Sequence, residues 1–268
     1  MPDLSGRTAL VTGASAGIGR EIARLLASKS GVGALVLVAR RRERLLELAR
    51  ELGDRHPTVR IVVRDVDLVD RKAAAAMVDG LEKDGEHIEV LVNNAGFGAW
   101  GPFARGGWTR FEAMIELNVV SATWLIHRLL PSMIERRFGA IMNLGSSAGM
   151  VARPGSAVYG ASKAYLNHLN EALAAELVDT GVTLTAVCPG PVPTEFQEVA
   201  GSHVREPLPG PLHVSVEQCA EEAVSALERG DARVIPGWPM RAAVLSLEAL
   251  PKAAVRPFLR RMARRLKG

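Results

Sequence analysis

Aromatic residues make up only 4% of this 268-residue chain, so alanine, valine and leucine must fill most of the core that a 48% hydrophobic content allows. Cysteine is nearly absent. Cys188 and Cys219 cannot build a disulfide framework, and they fit a reducing, cytoplasmic compartment. No apolar run approaches the roughly 20 residues that a membrane-spanning helix requires. The start, Met1 to Arg7, has no basic segment followed by an apolar one, which argues against a signal or transit peptide. The six histidines show no metal-ligand spacing, so no metal is expected. Acid is missing from the last 17 residues, which hold seven Lys and Arg; the net charge of +4 therefore leaves −3 on the remainder. A mildly acidic body with a basic tail is not the surface of a nucleic-acid-binding protein.

What is present is an alternation of short apolar runs and longer helical patterns. Strands are expected at Thr8–Val11, Ala34–Val38, Val59–Val63, Val90–Val92, Ala140–Leu144, Thr183–Val187 and Arg233–Ile235. Helices are expected at Gly19–Lys29, Arg42–Leu52, Arg71–Leu81 and Phe111–Ile134, around Tyr159 as far as Val178, and from a Ser215/Gln218 capping box to Glu228. Strands this apolar, separated by helices, imply a doubly wound α/β fold: a parallel sheet with helices on both faces. No linker interrupts the pattern. Residues 1–240 read as one domain, the proline-rich stretch of about 190–214 as a long binding loop, and 241–268 as a basic amphipathic extension. Pro251 and Pro257 are expected to interrupt any single helix in that extension.

The first strand runs into Gly13-Ala14-Ser15-Ala16-Gly17-Ile18-Gly19, and a helix follows. In that setting glycines let a backbone approach a pyrophosphate at a helix N-terminus. No acid ends the second strand, where one would bind the ribose hydroxyls of NAD. Arg40 and Arg41 stand there instead, and guanidinium groups suit the extra phosphate of NADP. Arg42 and Arg44 are expected to pair with Glu43 and Glu47. Asp67-Leu68 is placed to meet the adenine, with Asp65-Val66 the competing choice.

Tyr159 and Lys163 lie four residues apart on a helix, so their side chains leave one face. An ammonium beside a phenol favours the phenolate, which would lower the tyrosine's pKa toward working pH and fit it for proton transfer.

Taken together, Thr12-Gly13-x-x-x-Gly17-Ile18-Gly19, Asn93-Asn94-Ala95-Gly96, Asn118, Asn143-Leu144-Gly145-Ser146, Tyr159-x-x-x-Lys163 and Pro189-Gly190-Pro191-Val192-Pro193-Thr194 resemble the short-chain dehydrogenase/reductase family over about residues 5–235. The resemblance implies a Rossmann-type fold with a seven-stranded sheet that uses NAD(P). It implies that Tyr159 exchanges a proton with the substrate oxygen, that Lys163 lowers that tyrosine's pKa and binds the nicotinamide ribose, and that Ser146 polarises the carbonyl. Asn118 would hold a water linking the lysine to solvent. Asn94, Ala95, Gly96, Pro189, Gly190, Val192 and Thr194 would complete the NADP(H) site, Thr194 beside the carboxamide. The activity expected is reduction of a ketone to a secondary alcohol. Phe97, Trp100, Phe103, Phe196, Val199 and Leu208 suggest a hydrophobic substrate such as a 3-oxoacyl thioester or a steroid-like ketone. The alternative is a non-catalytic dinucleotide-binding regulatory protein on the same fold. A homodimer or homotetramer is the expected assembly. Residues 242–268 could rest on an anionic membrane surface, pack on a neighbouring subunit, or form a solvated end.

Overall fold

Runs of valine, leucine and isoleucine without an alternating polar face can be buried only between two helix layers, and the strands lie there. The computed structural model describes residues 1–200 and 212–265. Its seven strands are β1 (Thr8–Thr12), β2 (Ala34–Ala39), β3 (Arg60–Asp65), β4 (Val90–Asn93), β5 (Gly139–Leu144), β6 (Val182–Val187) and β7 (Arg233–Val234). They form one all-parallel sheet in the order β3-β2-β1-β4-β5-β6-β7. This is the doubly wound Rossmann arrangement, and its order reverses between β1 and β4.

One face of the sheet is covered by α1 (Gly17–Ser28), α2 (Arg42–Arg55) and, further along the chain, α8 (Val216–Arg229). The other is covered by α3 (Arg71–Lys83), α5 (Ala122–Glu135) and α6 (Ala157–Glu176). Helix α4 (Trp108–Ile115) runs into α5 through a π turn, Glu116–Ser121. The single helix expected over Phe111–Ile134 therefore carries one wide turn. Ser121 Oγ lies 2.8 Å from Glu116 O, five residues back, and 2.7 Å from Leu68 O, so one hydroxyl serves two carbonyls there.

Several expectations need correction. The stretch after Pro189 is not all loop, because it holds α7 (Phe196–Val199). Ser215 caps α8 by accepting from Gln218 N at 3.1 Å, but the Gln218 amide donates to Glu222 instead of completing a capping box. Pro251 separates α9 (Trp238–Ala249) from α10 (Lys252–Arg265), whereas Pro257 sits inside α10 without ending it. Pro257 is exposed, so water can satisfy the carbonyl its missing N–H leaves unpaired. Arg42 pairs with Asp65 at 2.7 Å and Arg44 with Glu195, not with their helix neighbours Glu43 and Glu47. Acids brought close by the sheet and by α7 outcompete those on the helix. Among the described residues, no helix is long and apolar enough to cross a membrane.

Candidate active site

The C-terminal ends of β1 and β4 open at the sheet's reversal, and the glycine loop is shaped by what crosses that point. Thr12 Oγ1 donates to Val92 O and accepts from the backbone N–H groups of Asn94 and Ala95, fastening β1 to β4. The Asn94 amide donates to Thr12 O at 2.9 Å and to Gly13 O at 3.2 Å. A Cβ at Gly13 would stand 2.6 Å from Asn94 Nδ2, and one at Gly19 only 2.2 Å from it. These two glycines are thus demanded by the packing of Asn94. Gly17 has φ +55° and lies against the Thr194 side chain.

Helix α1 begins at Ala16 with no side-chain cap and no acid in its first turn. Its N-terminal N–H groups and positive dipole end are left for an anion. Beside it, the Arg41 guanidinium donates to Ser15 Oγ at 3.0 Å, which brings Arg41 onto the glycine loop. Arg40 is more exposed and reaches Asp67 at 3.6 Å. Asp65 closes β3 and is engaged by Arg42, Asp67 also accepts from Val69 N in the loop that follows, and Leu68 is buried. Uncapped helix, tight glycine turn and neighbouring guanidinium groups fit a dinucleotide with an additional phosphate. The side chains of Val192 and, in part, Ile18 pack with Val214 and Cys219. Pro189 O accepts from Ser147 N, and a Cβ at Gly190 would strike Met240.

Tyr159, Ser146, Lys163 and Asn118 converge further along the same edge. Ser146 Oγ accepts from Ala148 N at 3.1 Å and lies close enough to the Tyr159 phenol to favour its ionised form. Ser147 instead turns its backbone toward Pro189, so Ser146 is the serine at the site. Lys163 Nζ donates to Leu144 O at 2.5 Å. Asn118, fully buried in the π turn, accepts from Phe97 N and donates to Phe97 O and Ser162 Oγ. Gly96 is required here as well, since a Cβ would sit 2.9 Å from Asn118 Oδ1 and 3.5 Å from Lys163 Nζ.

The electrostatics differ from the sequence expectation. Burial pushes the Tyr159 phenol up to about 12, against a smaller lowering by Ser146. Lys163 Nζ lies 6.0 Å from the ring centroid, gives one of its three N–H groups to Leu144 O, and does not offset the desolvation. Burial also pushes the ammonium down to about 8. The phenol is therefore kept as a proton donor across the neutral range.

Aromatic residues enclose that phenol. Trp100 and Phe196 each stand 5.5 Å from the Tyr159 ring, tilted by 58° and 54°. Phe97 joins this cluster, whereas Phe103 is stacked on Phe111 further out and is 60% exposed. Leu208 lies outside the described residues. The Trp100 indole N–H is buried without a hydrogen-bond partner, and the Arg153 guanidinium lies 5.2 Å from the centre of its ring.

Two features escaped the sequence reading. Asn93, Asn143 and Asn170 pass a chain of buried amide hydrogen bonds across the sheet to Ala232 O. Asn170 could have been found, because it lies two helical turns past Lys163 on the same face. Glu195, unremarkable in sequence, is held by both Arg41 and Arg44.

A reversed parallel sheet, an anion cradle at its switch point and a serine–tyrosine–lysine set beside it define an NAD(P)-dependent oxidoreductase acting on CH–OH and C=O groups. The chain belongs to the short chain dehydrogenase family, whose model matches residues 7–204. It is 41% identical over 189 residues to Sulfoacetaldehyde reductase 2 of Chromohalobacter salexigens, covering 70% of this chain and 73% of that protein. A short-chain dehydrogenase from Sphingobium yanoikuyae in complex with NADPH superimposes with a TM-score of 0.81 at 32% identity, covering 94% of this chain and 95% of that one. A 7beta-hydroxysteroid dehydrogenase structure gives 0.82 at 26% identity, covering 98% and 99%.

Proposed function

We propose that the protein reduces a carbonyl compound to a secondary alcohol with NADPH. The observation that carries this reading is the buried Tyr159 phenol, placed beside Ser146 and walled by Trp100 and Phe196. NADPH, when bound, supplies the hydride. As the carbonyl carbon gains it, negative charge grows on oxygen, and donors aimed at that oxygen stabilise the transition state more than the ground state. Ser146 Oγ has a lone pair engaged by Ala148 N, which leaves its O–H to donate. The Tyr159 O–H delivers the proton. Its raised pKa keeps the phenol protonated and suits this acid role. Lys163 and Asn118 position the site: Lys163 spans from Leu144 O toward the ribose position, and Asn118 fixes the Phe97 backbone.

The cofactor residues are those around Gly13–Gly19, Arg40, Arg41, Asp67, Asn94–Gly96 and Pro189–Thr194. The aromatic walls favour a hydrophobic body on the substrate, such as an acyl chain or a fused-ring ketone. A second reading, a small carbonyl compound with an acidic end, is favoured by the unpartnered Trp100 N–H beside Arg153 and by the sulfoacetaldehyde reductase relative. A panel of steroid ketones, 3-oxoacyl thioesters and small acidic aldehydes, followed by NADPH fluorescence, separates the two. Turnover of none of them, with NADPH binding retained, would overturn both and favour a non-catalytic regulatory protein.

The catalytic unit spans residues 1–240, and the preferred assembly is a homodimer or homotetramer. The apolar residues Ile115, Val120 and Tyr165, exposed on the helices that carry Asn118 and Tyr159, support that assembly. A monomer by light scattering would overturn it. The basic helix α10 is the segment through which anionic vesicles would be met. Co-sedimentation unchanged by removing residues 252–268 would refute that contact.

A further inference from the structure

Three consecutive residues of the segment after β6 touch three different parts of the site. Thr194 lies against Gly17 of the phosphate-binding turn. Glu195 Oε2 accepts from Arg41 at 2.8 Å and its Oε1 from Arg44 at 2.5 Å. Phe196 packs on the Tyr159 ring and against Gly98. Arg41 is also the guanidinium on Ser15 of the glycine loop. The two arginines hold the Glu195 carboxyl below the ordinary carboxylate range, so it is charged at neutral pH. One carboxylate from the substrate segment thus takes the forked donors that a phosphate monoester would need.

We propose that Glu195 is a specificity-determining residue for the cofactor. It competes with the extra phosphate of NADP(H) for Arg41 and Arg44, and its displacement loosens Phe196 from Tyr159. NAD(H) lacks the phosphate monoester that would take both arginines, so it leaves the Glu195 contacts and the aromatic cover in place. Arg41 thus supplies the preference for NADP(H), Glu195 offsets part of it, and displacement of the strap depends on the phosphate that only NADP(H) carries. The inference rests on the NADP(H) reading above, and the two fail differently. Both ion pairs are partly exposed, so each is weak, and the effect is modest.

The test compares wild type with Glu195→Gln by isothermal titration with NADPH, NADH and adenosine 2′-monophosphate, the last lacking any nicotinamide end. Removing the charge should tighten NADPH and adenosine 2′-monophosphate by about threefold to tenfold, the range two exposed ion pairs can supply, and change NADH by less than about twofold. Hydrogen exchange of the peptide containing residues 194–200 should rise in wild type on adding NADPH but not NADH. Glu195 is exposed, so the variant should fold; a matching Tm checks this. Unchanged or weaker binding of adenosine 2′-monophosphate by Glu195→Gln would overturn the proposal, as would slowed exchange of 194–200 with NADPH. A wild-type protein that binds NADPH no better than NADH would overturn the cofactor reading itself, and this proposal with it.

Discussion

Raising the pH from 7 to 9 should remove most of the activity through one group, Lys163. Its ammonium is buried, donates to Leu144 O, and has its pKa pushed down to about 8. The sign follows from the charged form being the working one: the cation is intact below 8 and is lost as pH rises through that value. A single site with that pKa is about nine-tenths protonated at pH 7 and about one-tenth at pH 9, roughly a tenfold fall. The groups beside it do not titrate in that window. Burial pushes both the Tyr159 phenol and the Cys188 thiol up to about 12. The quantity to measure is kcat/KM for NADPH at saturating carbonyl, because it reports the free protein, before the dinucleotide's own negative charge can raise the lysine's pKa. The Kd for NADPH should weaken over the same interval. Lys163→Arg keeps a cation throughout, so its profile should lose the inflection near 8 even if its activity is low. A profile that stays flat from pH 7 to 9.5, or one whose inflection survives in Lys163→Arg, would refute the reasoning.

Other outcomes follow from the same geometry. Tyr159→Phe removes the proton donor but little volume, so kcat should fall by about 10²–10⁴ while the NADPH Kd, read by fluorescence, stays within twofold; near-normal turnover would sink the acid role. Arg41→Ala should weaken NADPH far more than NADH, and more than Arg40→Ala does, because Arg41 alone of the two reaches Ser15; titrations giving equal losses for both cofactors would show that Arg41 is not the phosphate ligand. Gly19→Ala would drive a methyl group into Asn94 Nδ2 and break its bonds to Thr12 O and Gly13 O, costing about 1–3 kcal/mol per buried group left unpaired and lowering Tm by several degrees in a calorimetric scan.

The sheet was legible, and so was the convergence of Tyr159 and Lys163, because spacing along the chain alone decides both. Gly13, Gly19 and Gly96 each leave room for an asparagine amide, and Tyr159 and Lys163 share a helical face. The apolar strands could sit nowhere but between two layers. What could not be read depends on distance in space, not along the chain. Asp65 takes Arg42 because β3 ends beside the start of α2, and Glu195 takes Arg44 because α7 lies over the cleft. Nothing in Glu116-Leu-Asn-Val-Val-Ser121 marks a π turn; the segment has ordinary helical character. The phenol's pKa was misjudged for a related reason. Spacing puts the ammonium nearby, but only the fold shows that it gives an N–H to Leu144 O and that burial, with Trp100 and Phe196 against the ring, outweighs its charge.

The π turn lets the long helix hold one residue more than an ordinary helix of the same reach. The wide turn absorbs that residue, so the helix beyond it keeps the phase of the helix before it. Deleting a single residue between 116 and 121 would let an ordinary turn close with both flanking faces still aligned. Leu125, Ile126, Leu129 and Met133 would stay against the sheet, whereas Asn118 would be re-aimed and lose its hold on Phe97. The extra residue is thus a means of turning one amide toward the cleft at little cost to the core, and its removal would silence the site in a chain that still folds.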